Sequence, residues 1–594
     1  MKRLCGIIGY FGNRKAMPVI LQGLEKLEYR GYDSVGTAAL TQKGIVVKKD
    51  IGKVNEVNRK LNLSLPNANV AIGHTRWATH GNVTAENAHP HVDCNSEIAV
   101  VHNGIIDNYD ELREMLTGNG HKFRSNTDTE VIPHLIEEEL HETKSLEEAC
   151  MRAVGKLDGT FALLIIRDNE NKVIAVKKGS PLVIGIGNEE TFAASDIPAF
   201  MKYTKKVAYL YDYDFVVLGN APVFYNVKNG TLDKVERKTS EVDWKYVNSE
   251  KNGFEHYMLK EILEQINTIQ RAIQQDSSLL DKATASMAHS KNIILTGCGT
   301  SYYACLAAKD ALAKIADLNI HAVLASEFKD QVKFVDEKSV VVALSQSGET
   351  YDVLETIRLA KNAHAKVISV TNVRGSSLAR ESDLVIPMNA GPEISVLSTK
   401  TYTAQVALLS LLAYNLADRQ NDGKTNMNYL WNVIYYLTAE GQRDLMKNLA
   451  EKLKNSTDIV CIGRGQQYPT ALETALKIKE VSYIHAEAFA GGEMKHGPIA
   501  LIEEGTPCIT FVSESTEKDI ISNAIEAKAR GAYIVGVSPK KNAVFDFWIK
   551  VPECGNENPI VQIIPMQILA YQLAVLRGFD PDHPRSLAKS VTVK

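Results

Sequence analysis

Apolar residues in the first part of the chain come in short runs, some continuous and some alternating with polar positions. The clearest are residues 5–10, 37–40, 45–48, 69–72, 97–101, 160–166, 173–176 and 182–186, with Gly, Asn and Asp between them. Short apolar runs bounded by turn formers predict strands. Residues 18–27 and 129–138 instead repeat their apolar positions at helical spacing. Residues 228–253 are dense in charge and sparse in apolar side chains, which predicts a boundary. Beyond it the texture changes. Apolar runs at 293–295, 340–344, 366–370 and 384–387 alternate with long helical patterns. That alternation predicts βαβ units and a parallel sheet.

The second half also reads as a diverged duplication. One strand runs into Gly297-Cys298-Gly299 and a later one into Gly463-Arg464-Gly465. Further strands reach Ser345-Gln346-Ser347 and Ser513-Glu514-Ser515, then Thr371 and Ser538. The steps are 48 and 50 residues, then 26 and 25. Three features in near register support a repeat. The expected organisation is a mixed α+β domain over residues 1–244, a linker at 245–256, α/β modules at 257–421 and 422–579, and a tail at 580–594.

Composition narrows the class. The chain has 594 residues, 45% hydrophobic and 23% charged, ordinary values for a globular protein and far from disorder. No uninterrupted apolar run approaches the ~20 residues of a spanning helix, so no membrane partner is expected. Lys and Arg number 67 against 71 Asp and Glu, a net charge of −4. No global basic field exists to draw in nucleic acid, so any anion site must be local. The eight cysteines (5, 94, 150, 298, 305, 461, 508 and 554) include no CxxC pair. Spacing therefore gives no support for a structural zinc site or a disulfide framework. Only four residues precede Cys5, too few for the apolar segment of a signal peptide, and a cytoplasmic location is expected.

Two regions carry candidate chemistry. Ser345-Gln346-Ser347-Gly348-Glu349-Thr350 follows an apolar strand and opens a helix. Hydroxyls and free N–H groups at a helix start suit a phosphate, and equally a plain N-cap. Cys298-Gly299-Thr300-Ser301 follows the first strand of the same module and should converge on it. In the second copy Glu514 places a carboxylate in the loop, which disfavours an anion. Near the start, Cys5-Gly6-Ile7-Ile8-Gly9 opens a strand. His74-Thr75-Arg76-Trp77-Ala78-Thr79-His80-Gly81, His102-Asn103-Gly104 and Asn126-Thr127-Asp128-Thr129-Glu130 each follow a strand or start a helix. Together they supply a guanidinium for a carboxylate, a carboxylate for an ammonium group, and donors for an oxyanion, the needs of a small α-amino acid.

These motifs carry a resemblance. The Cys5 motif, Leu27-Glu28-Tyr29-Arg30-Gly31-Tyr32-Asp33-Ser34, residues 74–81, Asn87-Ala88-His89-Pro90-His91, Val101-His102-Asn103-Gly104-Ile105 and Thr127-Asp128-Thr129-Glu130 resemble the glutaminase half of the glutamine–fructose-6-phosphate aminotransferases. Residues 345–350, Ser398-Thr399-Lys400, 475–480, His485-Ala486-Glu487, Glu493-Met494-Lys495-His496-Gly497-Pro498 and 585–593 resemble their sugar-isomerising half. The resemblance covers nearly the whole chain in order. It implies an α+β N-terminal-nucleophile (Ntn) hydrolase domain followed by two α/β SIS (sugar isomerase) modules with parallel sheets. It implies glutamine-dependent conversion of fructose 6-phosphate to glucosamine 6-phosphate, with ammonia passed internally, no pyridoxal phosphate or other cofactor, and no metal.

The same resemblance implies roles. Cys5 is the nucleophile, Asn103 and Gly104 the oxyanion hole, and Arg76, Trp77, Thr79, His80 and Asp128 the glutamine site. Thr300, Ser301, Ser345, Gln346, Ser347, Thr350 and Val396 hold the sugar phosphate. Lys589 forms a Schiff base, Glu480 moves a proton with Lys477 assisting, and His496 opens the sugar ring from a partner subunit, so at least a dimer is implied. A nucleophile of this kind uses its own α-amine, of pKa about 8, as base. Because Lys2, Arg3 and Leu4 precede Cys5, either the segment is trimmed, the true start differs or the glutaminase is impaired, and the active form is expected to begin at Cys5. The alternatives are a phosphosugar isomerase or deaminase with a silent first domain, and a phosphosugar sensor without catalysis.

Overall fold

The computed structural model describes residues 5–28, 31–77, 82–143, 145–228, 230–241, 251 and 253–591. It divides into two compact units, Met1–Asn248 with Ser590–Lys594, and Ser249–Lys589.

The first unit is built on two antiparallel sheets. One has eight strands, with Gly6–Phe11 between Thr191–Ala194 and Val70–Arg76. The other has seven, with Ile98–Ile106 beside Gly159–Arg167. Side chains alternate across each strand. Ile7, Ala99, Val101, Leu164 and Ile166 enter the core between the sheets. Ile8 faces outward onto the helix Ala16–Leu27, while Ile98, Val100, Leu163 and Ile165 face the helices Val131–Leu140 and Leu146–Gly155. The central strands are thus covered on both faces, which is why several of them read as continuous apolar runs.

Each of the eight runs expected as strands overlaps a strand, with Cys5, Asn69, Glu97 and Leu182 just before the strand start, and both expected helices form. The polar segment 228–253 reads as a boundary in the sequence. Thr231–Lys234 and Thr239–Glu241 are nevertheless strands, each at the end of its sheet. Their side chains are largely exposed, so an edge position needs no apolar run.

The second unit holds two five-stranded parallel sheets. The first runs in the order His321–Leu324, Asn292–Gly297, Ser339–Ser345, Lys366–Thr371, Leu384–Pro387. The second runs His485–Ala490, Asp458–Gly463, Pro507–Phe511, Tyr533–Ser538, Phe547–Lys550. Both have the doubly wound order 2-1-3-4-5, so the duplication read from loop spacing is a duplication of fold. One continuous core joins the two modules. The expected junction at 421/422 falls inside the helix Gln420–Thr438. Among the described residues, one helix, residues 555–576, is long and apolar enough to cross a membrane, and 83% of its apolar window is buried inside the unit.

Candidate active site

Cys5 immediately precedes the central strand Gly6–Phe11, and Gly6 pairs with Thr75 on the neighbouring strand. That register brings the end of Val70–Arg76 to the sulfur. The Trp77 N–H donates to Cys5 Sγ at 3.3 Å, and Sγ lies 3.5 Å from the Trp77 carbonyl. Burial pushes the Cys5 thiol up to about 11, against the Trp77 N–H and the Arg76 guanidinium, which favour the thiolate. From the other sheet, Asn103 Nδ2 donates to the Cys5 carbonyl and to Ser195 Oγ, both at 2.9 Å. Gly104 follows at φ +139, where an added Cβ would stand 1.9 Å from the Thr160 carbonyl oxygen, so no other residue fits. Asp128 accepts the Ile106 N–H at 2.9 Å.

Cys5, Arg76, Trp77, Gly104 and Asp128, from four separate sequence motifs, line one pocket. His89, His102, Thr127 and Thr129 line it as well. All four stand in the sequence motifs, which assign them no role of their own. His102 Nδ1 lies 2.8 Å from Thr129 Oγ1, and the His102 carbonyl lies 3.1 Å from His74 Nε2. His74 and His89 stack at 4.0 Å, and burial holds both well below the ordinary histidine value, hence neutral. Thr79 and His80 lie outside the described residues.

In the second unit the adjacent parallel strands Asn292–Gly297 and Ser339–Ser345 end side by side, and their loops converge. Ser345 Oγ lies 3.1 Å from Thr350 Oγ1 and accepts the Gly348 N–H at 3.0 Å. Ser347 Oγ accepts the Glu349 N–H at 3.2 Å, and Gln346 Oε1 is buried with no protein partner. Gly348 has φ +67, and a Cβ there would meet Ser376 Oγ at 2.0 Å. The loop is thus a tight polar cradle at the start of the helix Tyr351–Asn362. In the second module, Ser513 Oγ lies 2.9 Å from Thr516 Oγ1 and donates to Gln467, while the Glu514 N–H is taken by Glu553.

The helix Gln467–Ser482 of the second module faces this cradle's neighbour. Thr300 Oγ1 donates to Glu473 Oε1 at 3.2 Å. Lys477 Nζ lies 3.5 Å from Glu473 and 2.6 Å from Glu480. Burial pushes Glu473 up to about 8. Burial opposes the charge on Lys477, but Glu473 and Glu480 outweigh it and hold Lys477 above the ordinary lysine value. Ser301 Oγ accepts from Gln405 Nε2 at 3.0 Å, and Val396 is buried with its N–H on the Asp582 carbonyl. Lys589 is not a solvated tail residue: Nζ donates to Glu393 Oε2 at 2.5 Å and reaches the Leu397 carbonyl at 3.5 Å. Glu393 is fixed in turn by the N–H groups of Thr399 and Thr401 and the Thr401 hydroxyl. That explains the Ser398-Thr399-Lys400 motif physically. Beside it, burial and the charge of Glu393 push Glu261 up to about 7. His496 lies in the short helical turn Glu493–His496 and is exposed.

Comparison with known proteins fits both halves. The glutamine amidotransferase domain pattern matches residues 74–202, and the SIS domain pattern matches 286–414 and 452–577. A glutamine–fructose-6-phosphate aminotransferase [isomerizing] of Thermococcus kodakarensis is 46% identical over 606 residues, spanning 100% of both chains. The one of Pyrococcus horikoshii is 43% identical over 601 residues, again spanning 100% of both. The chain belongs to the glutamine–fructose-6-phosphate aminotransferase family. A solved C-terminal domain of glucosamine-fructose-6-phosphate aminotransferase from Francisella tularensis is 33% identical, covers 56% of this chain and 100% of its own, and superposes with a TM-score of 0.52. For a chain of this aminotransferase family, the acidic residues Glu261, Glu393 and Glu473 are the part that sequence reading missed. No motif marks them, and they become visible only through the lysines they face.

Proposed function

We propose that the chain converts L-glutamine and D-fructose 6-phosphate to L-glutamate and D-glucosamine 6-phosphate, with ammonia carried internally between the two sites. Arg76 and Asp128 hold the carboxylate and ammonium ends of glutamine. Cys5 adds to the side-chain amide carbon, Asn103 and the Gly104 N–H steady the oxyanion, and ammonia leaves as a thioester forms. Water then releases glutamate. Trp77 closes over glutamine against early hydrolysis, and Thr79 and His80 belong to the glutamine site. In a chain that begins at Cys5, the α-amine of Cys5 accepts the proton.

At the other site Thr300, Ser301, Ser345, Gln346, Ser347, Thr350 and Val396 hold the sugar phosphate. Lys589 condenses with the C2 ketone and loses water, and ammonia displaces the lysine to leave an imine at C2. Glu480, with Lys477, carries a proton from C1 to C2, which turns the ketose imine into an aldose amine. His496 of a second subunit assists ring opening, so the working assembly is at least a homodimer. The observation that carries this reading is the burial of Lys589 against Glu393: the fold takes a tail lysine out of solvent, and a sugar-phosphate sensor has no use for it. The test follows glutamate and hexosamine phosphate together. Equal amounts support coupling. Sugar isomerisation with no glutamate release would favour an isomerase or deaminase with a silent first domain.

A further inference from the structure

The first unit holds a second cluster, none of whose members lines the pocket around Cys5. Cys94 follows the strand His91–Val92, His121 follows the helix Tyr109–Gly118, and His134 and Glu137 lie one turn apart on the helix Val131–Leu140. One donor atom from each lies within 4.8 Å of all the others. Cys94 Sγ is 3.6 Å from His121 Nδ1 and 3.6 Å from His134 Nδ1. Glu137 Oε2 is 3.0 Å from His121 Nδ1 and 3.2 Å from His134 Nδ1.

These four separations are close to four of the six edges of a coordination tetrahedron. Zinc bonds of about 2.0–2.3 Å to nitrogen, oxygen and sulfur place neighbouring ligands roughly 3.3–3.6 Å apart. Hydrogen bonding alone leaves the cluster over-subscribed. An imidazole nitrogen carries either one proton or one lone pair, yet each Nδ1 faces both the sulfur and the carboxylate oxygen. A cation at the centre gives all four donors the same partner. The outer contacts of His121 and Glu137 suit a metal site too. His121 Nε2 lies 3.0 Å from Glu138 Oε2, which favours the tautomer with its Nδ1 lone pair aimed inward. The Cys94 N–H donates to Glu137 Oε2 at 3.1 Å and Asn95 Nδ2 to Glu137 Oε1 at 3.4 Å, fixing that carboxylate.

We propose that Cys94, His121, His134 and Glu137 form a tetrahedral zinc site in the first unit. One thiolate, two imidazoles and one carboxylate favour zinc over magnesium or calcium, which take oxygen ligands. A thiolate and a carboxylate also balance the charge of a divalent ion. With four protein ligands the coordination sphere is closed, so the ion is structural and activates no water. Its place in the fold gives it a positioning role. It ties three segments together at the helix Val131–Leu140, and Asp128 of the pocket wall lies three residues before that helix. Sequence spacing concealed the site because its ligands are scattered over 44 positions with no CxxC pair.

The site stands or falls independently of what the pocket binds. The test uses the full chain produced in zinc-containing medium and desalted. Elemental analysis should give one zinc per chain, falling at least tenfold in Cys94→Ser and His134→Ala. The wild-type protein stripped and reloaded with cobalt(II) should show the strong visible bands of a tetrahedral ion and a thiolate-to-cobalt band in the near ultraviolet. That spectrum decides the matter even if the variants fold poorly. Full-chain protein that retains no zinc and stays colourless with cobalt(II) overturns the proposal, and so does a cobalt spectrum without the thiolate band. In stripped protein that stays folded, KM for glutamine should rise severalfold while ammonia-dependent sugar amination holds.

Discussion

Lys589 Nζ donates to Glu393 Oε2 at 2.5 Å, although the two residues are 196 positions apart in the chain. Neither side chain is appreciably exposed, at 7% and 0%. Removing one partner of such a pair leaves an uncompensated buried charge and costs about 3–5 kcal/mol. Glu393→Gln should therefore lower the thermal midpoint sharply, and the double variant with Lys589→Met should recover most of the loss. Calorimetry on the two single variants and the double closes that cycle. Lys589→Arg should keep the ion pair and stability but form no imine. Borohydride with fructose 6-phosphate should then label the wild-type chain and leave this variant unlabelled.

Glu473 gives a pH dependence of definite sign. Its carboxyl is pushed from the ordinary 4.5 to about 8 by burial, so the folded chain holds a proton that the unfolded chain releases. Its contribution to stability is whole below about pH 4.5 and is lost as pH rises through about 8. The stability of the wild type minus that of Glu473→Gln should fall across that window, by on the order of a few kcal/mol at most. Denaturant midpoints measured at intervals from acid to mildly alkaline pH read this directly. A difference that grows with pH would show that Glu473 is held ionised.

Gly348→Ala tests the polar cradle. The glycine has φ +67, and a Cβ would meet Ser376 Oγ at 2.0 Å, so both backbone and neighbour must move. Backbone strain of this kind costs roughly 1–3 kcal/mol. The loop should distort where the phosphate is held, raising KM for fructose 6-phosphate at least tenfold. Glutamine hydrolysis without sugar, read at the other site, should be unchanged.

Most of this architecture was legible in the sequence, and the exceptions have physical causes. Buried strands such as Ser339–Ser345 announce themselves because both faces are covered and every residue is buried. The edge strand His321–Leu324 does not, since its side chains are half-buried or exposed. The Ser345–Thr350 loop was visible because its hydroxyls are consecutive. Glu393 and Glu473 were not, because a single carboxylate among 71 acidic residues carries no local signal until the fold sets it against Lys589 or Lys477. Cys5 is the reverse case, where a motif named the residue but only the fold shows what surrounds its sulfur.

That surrounding leads to a last prediction. With a peptide bond to Leu4, Cys5 has no neighbouring amine, and its thiol is pushed up to about 11 by burial. Only a minute fraction is thiolate at neutral pH, and the thiolate is the nucleophile. A chain beginning at Cys5 gains an α-amine of pKa about 8 next to the sulfur. Alkylation by iodoacetamide near neutral pH should then be at least roughly tenfold faster in the trimmed chain than in one that keeps residues 1–4. Glutamate release should appear only in the trimmed form. Cys5→Ala should abolish it there while leaving ammonia-driven amination of the sugar intact. Equal alkylation rates and equal glutamate release in both forms would mean that a group other than the α-amine takes the proton.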